Sequence, residues 1–290
     1  MNTQRKSRPL TFADVLIYAV MIFVVLICFV PFLYMLALSL SSPDAIINNK
    51  VTLFPVGWNF EAYNQILTYP NFFKAYGNTI FYTAAGTLIS LLMSALFAYA
   101  MSKRFLYGHK LVMMLIVFSM FFSGGLIPTY LLVSNLHLTG TVWAMLLPFA
   151  LNQFNLIILI NFFRAIPSEI EEAAIIDGLS YFGILRRVIL PLSTPALATI
   201  GLYTAVFFWN DWFNGLIYLN TDQYPVMLFL RNIVNGTSMV GDGAGAADKS
   251  TIAMSIKSAV IITSTLPIII LYPLLQRFFV AGLTVGSVKG

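Results

Sequence analysis

The chain has 290 residues, of which 59% are hydrophobic and 9% charged, with a formal net charge of +5. A soluble domain carries about 25% charge, so these few charges cannot cover the water-facing surface of a 32.3 kDa chain. The composition argues against a large soluble enzyme, and the single cysteine, Cys28, leaves no internal disulfide to form.

Arg5, Lys6 and Arg8 precede an apolar run, as in a secretory signal, but the run is too long and no small-x-small cleavage site follows it. Ile27, just before Cys28, is not the small residue a lipoprotein signal wants. An uncleaved first span is expected. A helix needs about 20 apolar residues to cross the hydrocarbon core. Stretches free of Asp, Glu, Lys and Arg run over 15–43, 75–102, 111–163, 188–210 and 258–276. The third is long enough for two helices and is broken at the turn-forming segment Ser134-Asn135-Leu136-His137-Leu138-Thr139-Gly140. The sequence therefore predicts an all-helical integral membrane protein with six spans, over 14–40, 76–101, 111–133, 141–163, 192–217 and 256–275. Pro31, Pro128, Pro148, Pro195, Pro267 and Pro273 fall within or beside spans and suggest bends. No internal repeat is visible, which weighs against a secondary transporter built from repeated halves.

Six spans put both termini on one side. That side holds eleven basic residues: Arg5, Lys6, Arg8, Lys103, Arg104, Lys110, Arg164, Arg186, Arg187, Arg277 and Lys289. The other side holds five, Lys50, Lys74, Arg231, Lys249 and Lys257, spread over two longer loops. The positive-inside rule makes the eleven-residue side cytoplasmic. The basic balance is thus a topology signal and does not point to nucleic acid.

One cytoplasmic loop, 164–191, differs from the rest. Ser168 with Glu171 predicts a capping box, and Glu169, Glu171 and Glu172 suit the positive end of a helix dipole. Gly178 can end that helix in the left-handed conformation. Ser180 can cap a second short helix whose negative end lies near Arg186 and Arg187, and Pro191 marks the start of the next span. Ile170, Ala173, Ala174 and Ile176 give an apolar side with small residues. Two readings of these residues stand side by side: a helix resting on lipid headgroups, and a helix that another backbone approaches closely.

The segment Glu172-Ala173-Ala174, three residues, Gly178, nine residues, then Val188-Ile189-Leu190-Pro191 resembles the EAA loop of ABC importer permeases, with Val188 in place of Ile. The similarity extends to both sides. The tail 276–290 resembles the end of the smaller permease of maltose-type carbohydrate importers. Gly124-Gly125-Leu126-Ile127-Pro128-Thr129-Tyr130 resembles the branch importing larger, polysaccharide-derived sugars, and Trp209-Asn210-Asp211-Trp212 resembles a segment of the family's fifth span. The resemblance implies a MetI-like permease fold with cytoplasmic coupling helices. It also implies docking of Glu172, Ala173, Ala174, Asp177, Gly178, Arg186 and Pro191 onto an ATPase subunit. The implied assembly has a second homologous permease, two ATP-binding cassette subunits and an extracytoplasmic solute-binding protein, in a bacterial cytoplasmic (inner) membrane with both termini cytoplasmic.

Other chemistry is missing from the sequence. Residues 243–250 nearly match a phosphate-binding loop, but Asp248 stands where glycine is needed and its charge would repel phosphate. ATP and Mg are expected on the partner ATPase, with no cofactor or metal in this chain and no catalytic residues. His109 and His137 lie far apart and make no metal cluster.

Polar groups within spans face a cavity or another helix. Asn152, Gln153, Asn155 and Asn161 fall in the fourth span, and Asn210, Asp211 and Asn214 in the fifth, beside Trp209 and Trp212. Sugar hydroxyls need amide or carboxylate partners and sugar CH faces need aromatic rings. Asn152, Gln153, Asn155, Trp209, Asn210, Asp211 and Asn214 are therefore candidates for a substrate pathway. Helix-packing polar contacts with an interfacial aromatic belt are the alternative. The glycine-bearing outer loop 218–255 (Gly236, Gly241, Gly243, Gly245) is long enough to carry a function, which the resemblance makes contact with the binding protein.

The expected organisation is a cytoplasmic N-terminus (1–13), a first span with outer loop (14–75), a five-helix permease core (76–275) and a cytoplasmic tail (276–290). The expected function is oligosaccharide uptake by alternating access. The alternatives are the same machinery for a non-sugar solute and an ion-coupled secondary transporter with Asp211 as its ion site.

Overall fold

The computed structural model describes residues 11–238, 254–271 and 273. The N-terminal basic residues, Gly241, Gly243, Gly245, the 243–250 segment and the 276–290 tail lie outside them. All regular structure among the described residues is helical. The chain divides into two compact units, Met1–Tyr69 with Ile233–Thr263, and Pro70–Asn232 with Ser264–Gly290.

In the first unit, α1 (Phe12–Ser39) begins at a capping box. The Thr11 hydroxyl accepts from the Asp14 N–H, and the Asp14 carboxylate accepts from the Thr11 N–H at 2.8 Å. Its apolar side chains from Val15 to Phe29 are exposed all round, as suits a helix solvated by lipid. At about 1.5 Å per residue its 28 residues outreach a hydrocarbon core of about 30 Å. Ala37 and Leu38 at its end pack with α2 (Pro43–Ile47) through Ala45 and Ile46. Ahead of the next unit, α3 (Glu61–Thr68) carries Tyr63, whose phenol oxygen lies 2.7 Å from the Ser39 hydroxyl. Burial pushes the Tyr63 phenol above its ordinary pKa.

The second unit is organised around α4 (Phe72–Ser102), 31 residues long. It is followed by α5 (His109–Phe121), α6 (Leu126–Asn135), α7 (Trp143–Leu146), α8 (Gln153–Arg164) and α9 (Ser168–Ile176). Next, α10 (Tyr181–Ile184) runs through a π turn (Leu185–Ile189) into α11 (Leu190–Leu192), then come α12 (Thr194–Asn210) and α13 (Phe213–Tyr218). The last elements of the chain are α14 (Val226–Ser238), which belongs to this unit up to Asn232, and α15 (Met254–Leu271), which belongs to it from Ser264 on. Helices α8 and α12 pack on α4. A glycine permits the closest approach: a Cβ at Gly86 would lie 2.5 Å from the Phe208 ring of α12. The main core gathers Ala98, Leu159, Ile160, Ile184 and Ile189, all fully buried. The polar segment before α14 is tied to α4. Thr79 Oγ1 accepts from the Val226 N–H at 2.7 Å, and the Tyr82 hydroxyl donates to the Gln223 carbonyl at 2.9 Å.

Among the described residues, helices α1, α4 and α15 are each long and apolar enough to cross a membrane, and counting each of two bent pairs as one span raises the number to five. Three expected spans are interrupted. The 111–133 span breaks between α5 and α6, which meet at 117° across Ser123-Gly124-Gly125, with Gly125 at φ +87°. The 141–163 span is no continuous helix: α7 stops at Leu146, Pro148 follows, and α8 restarts at Gln153. The 192–217 span ends at Asn210 and resumes at Phe213. Each break falls at residues that lack a backbone donor, favour positive φ, or cap the next helix. The turn at 134–140 forms as expected, with His137 at φ +54° and Gly140 at φ +74°.

Candidate functional site

The loop 164–191 folds as two short helices. The expected capping box is absent, because Pro167 occupies the N-cap of α9 and makes no side-chain cap. Glu171 turns instead to Lys103, the C-cap of α4, and forms an ion pair with it. The other end follows the expectation. Gly178 sits at φ +81°, its N–H donates to the Ile175 carbonyl at 2.9 Å, and the Leu179 N–H donates to the Ala174 carbonyl at 3.0 Å. This is the Schellman pattern, which needs a residue tolerant of left-handed backbone at Gly178. Ser180 then caps α10, accepting from the Gly183 N–H at 3.3 Å.

The apolar side expected of α9 is not turned inward. Ala174 alone of its four members is buried; Ile170 and Ala173 are exposed, and Ile176 is 86% exposed. Glu172, Asp177 and Gly178 share that open surface. Arg186 and Arg187 do not lie at a helix end, because the helical path continues through the π turn to Leu192. They are exposed in its middle. Pro191 is exposed in the last turn before Ser193, where the path bends by 82° into α12.

The helix is held to the unit from behind. Arg164, the last residue of α8, donates through Nη2 to the Met101 carbonyl at 2.9 Å, and the same atom lies 3.0 Å from His109 Nε2. Lys103 Nζ sits 4.7 Å over the Tyr99 ring centroid. Lys103, Arg164 and Glu171 are among the residues that bound a cleft of about 450 Å³ beneath α9. Nothing in the local sequence pattern announced the Lys103–Glu171 pair, since its members stand 68 positions apart.

The proposed pathway residues divide. Asn152, Gln153, Asn155 and Asn214 line one cavity of about 260 Å³, together with Tyr203 and Thr204 of α12 and Ser90 of α4. Asn152 also caps α8, its Oδ1 accepting from the Asn155 N–H at 3.0 Å. Trp209, Asn210 and Asp211 are not brought to it. Trp209 is 8% exposed and its indole N–H donates to the Ser264 carbonyl at 3.0 Å. Asn210 bonds back to the Val206 carbonyl of its own helix at 2.8 Å. Asp211 is buried and caps α13, accepting from the Asn214 N–H at 3.1 Å and from its side-chain amide at 2.9 Å. Trp212 is covered by Arg231, whose guanidinium carbon lies 3.3 Å from the ring centroid. Ser90, Tyr203 and Thr204 are cavity residues that the sequence signalled only as isolated polar positions within apolar runs. Among the described residues no group of three His, Cys, Asp or Glu could hold a metal.

Residues 87–285 match the family described as binding-protein-dependent transport system inner membrane component. Over 283 residues the chain is 42% identical to the polygalacturonan/rhamnogalacturonan transport system permease protein YtcP of Bacillus subtilis (strain 168), covering 96% of this chain and 98% of that one. Protein LplC of the same strain is 41% identical over 266 residues, 91% of this chain and 90% of that one. Among solved structures, the chain is similar to one from a bacterial ABC transporter involved in the import of the acidic polysaccharide alginate. The TM-score is 0.84 at 32% identity, covering 96% of this chain and 100% of that chain. A chain of a bacterial alginate ABC transporter in complex with alginate pentasaccharide-bound periplasmic protein shares the fold alone, with a TM-score of 0.54 at 18% identity. The match over most of the length, with permease proteins similar along nearly the whole chain, makes this protein a member of the binding-protein-dependent transport inner membrane component family, and hence the permease subunit of an ABC importer rather than an enzyme.

Proposed function

We propose that the chain takes up oligosaccharides delivered by an extracytoplasmic solute-binding protein, with acidic, polysaccharide-derived oligosaccharides as its substrate class. The observation that carries this reading is the cavity where Asn152, Gln153, Asn155 and Asn214 meet the Tyr203 ring. Carboxamides both donate and accept, as sugar hydroxyls require, and an aromatic ring offers a stacking face. The names of the polygalacturonan/rhamnogalacturonan and alginate relatives support acidic sugars.

In this proposal six spans cross the membrane, the two interrupted ones between 141 and 218 lining the cavity, with both termini cytoplasmic. The 76–275 core pairs with a second homologous permease. Two ATP-binding cassette subunits bind ATP and Mg and receive the exposed surface of Glu172, Ala173, Ile176, Asp177 and Gly178. Arg186 and Pro191 belong to the lever behind that surface. When ATP closes the ATPase dimer, α9 moves with it. The rigid path Tyr181–Leu192 carries the motion across the bend at Ser193 into α12, whose Tyr203 and Thr204 face the cavity. The outer loop 218–255 meets the binding protein.

The test is ATPase activity in proteoliposomes containing this chain, its partner permease and the ATPase. Binding protein would be added with or without galacturonate oligomers of two to four residues. Stimulation by loaded binding protein is expected. Uptake that persists without ATP and collapses with an ionophore would replace this reading with the ion-coupled one.

A further inference from the structure

The coupling helix α9 is joined through the chain to α8 at one end and to α10–α12 at the other. Helix α4 is not next to it in the chain, yet supplies the Ser90 wall of the cavity and the surface on which α8 and α12 pack. If force reaches the permease through α9, something must carry it to α4 or the two helices will slide.

The ends of α4 and α9 meet at the Lys103–Glu171 ion pair. Both side chains are 17% exposed, so the pair is largely withdrawn from water. An exposed pair contributes little, whereas a largely buried one resists separation because parting it strands a desolvated charge. Its surroundings hold Lys103 in place: the Tyr99 ring lies beneath the ammonium, and two residues earlier the Met101 carbonyl accepts from Arg164. Arg164 thereby fastens α8 to the same turn of α4. Glu171 makes this contact rather than the local cap that its spacing from Ser168 offers.

We infer that Lys103 and Glu171 form a strap through which the coupling helix drives α4, so that α4 and α9 move as one body during turnover. Lys103 and Glu171 are positioning residues, with no contact to sugar or nucleotide. This inference rests on the proposed docking of α9 to the ATPase.

The experiment uses the assembled complex of this chain, its partner permease and the ATPases, in a Cys28→Ser background of this chain with a reporter Asn152→Cys at the cavity. Maleimide labelling of the reporter is followed by mass spectrometry, nucleotide-free and with ATP–vanadate. Neither condition requires the sugar to be known. The unmodified pair is expected to give a nucleotide-dependent change in labelling rate of about tenfold, a size matching the coupling of contacting residues. Lys103→Glu or Glu171→Lys, in complexes that still contain the ATPase, should shrink it to less than about twofold, and the double exchange K103E/E171K should restore it. Singles that respond as the background does overturn the strap, as do singles that the exchange fails to rescue. Gly178→Asp separates the two ideas. If it abolishes ATPase docking while the strap variants behave as the background, the strap alone is wrong. If it docks and responds normally, the coupling-helix reading fails and the strap with it.

Discussion

Two glycines of α4 give opposite predictions for the same substitution. A Cβ at Gly77 meets nothing within 4 Å. Gly77→Ala therefore removes only unfolded-chain freedom and should stabilise by about 0.4–1 kcal/mol. A Cβ at Gly86 meets three Phe208 ring atoms at 2.5, 2.5 and 2.8 Å. The ring cannot swing clear, being 1% exposed and packed with Met145 and Leu146, themselves 0% and 2% exposed. The helices must part or the ring must leave its rotamer, which costs about 1–3 kcal/mol. The apparent melting temperature of the detergent-solubilised complex, read by size-exclusion fluorescence, should rise by a few degrees for Gly77→Ala. For Gly86→Ala it should fall by roughly 2–12 °C, at about 2–4 °C per kcal/mol. Phe208→Leu removes the offending ring atoms, so G86A/F208L should be more stable than the sum of the singles predicts. A Gly86→Ala protein as stable as the Gly77→Ala one would refute the close packing of α4 on α12.

Asn152 both caps α8 and faces the cavity, and Asn152→Asp separates the roles. A carboxylate still accepts from the Asn155 N–H and suits the helix N-terminus, so melting should shift by less than about 1 kcal/mol equivalent. Uptake of acidic oligosaccharide should drop at least about tenfold, because an anion replaces a donor in the path. Asp211→Asn keeps an acceptor for the Asn214 N–H while losing the charge, at a stability cost of about 1 kcal/mol. ATP-dependent uptake should survive it within about fivefold, the coupling energy at stake being no larger than that lost hydrogen bond, whereas complete loss would favour Asp211 as an ion site.

Caps and turns inside the loop 164–191 were legible because their causes are local. Gly178 and Ser180 act on partners within four residues, and spacing alone announces such contacts. The helices α1, α4 and α15 were legible from length and apolarity. Hydropathy could not show the 117° break at Gly124-Gly125 or the gap at Pro148, because a broken helix buried in protein is as apolar as a straight one. The same limit grouped Trp209 and Asp211 with Asn152. All look like polar or aromatic guests in a span, and only the fold sends the Trp209 indole to the Ser264 carbonyl and the Asp211 carboxylate to the cap of α13. Glu171 was misread for a related reason, since a local cap and a distant Lys103 compete for one carboxylate and burial decides between them.

The central claim is that the surface around Gly178 is where this permease meets its ATPase. Gly178 is at φ +81°, and beyond its immediate chain neighbours nothing lies within 4 Å of a Cβ placed there. Gly178→Asp therefore puts bulk and charge into space that only a partner would fill, at a cost to the chain itself of about 1–2 kcal/mol for left-handed backbone. The measurement is binding-protein-stimulated ATPase activity in proteoliposomes, with the amount of ATPase bound to the permease pair measured alongside. The account predicts a permease that is made and folded but binds its ATPase poorly or loses stimulation by at least about tenfold, the factor that about 1.4 kcal/mol of lost docking energy would give. A Gly178→Asp complex that assembles and responds like the unmodified one would contradict it.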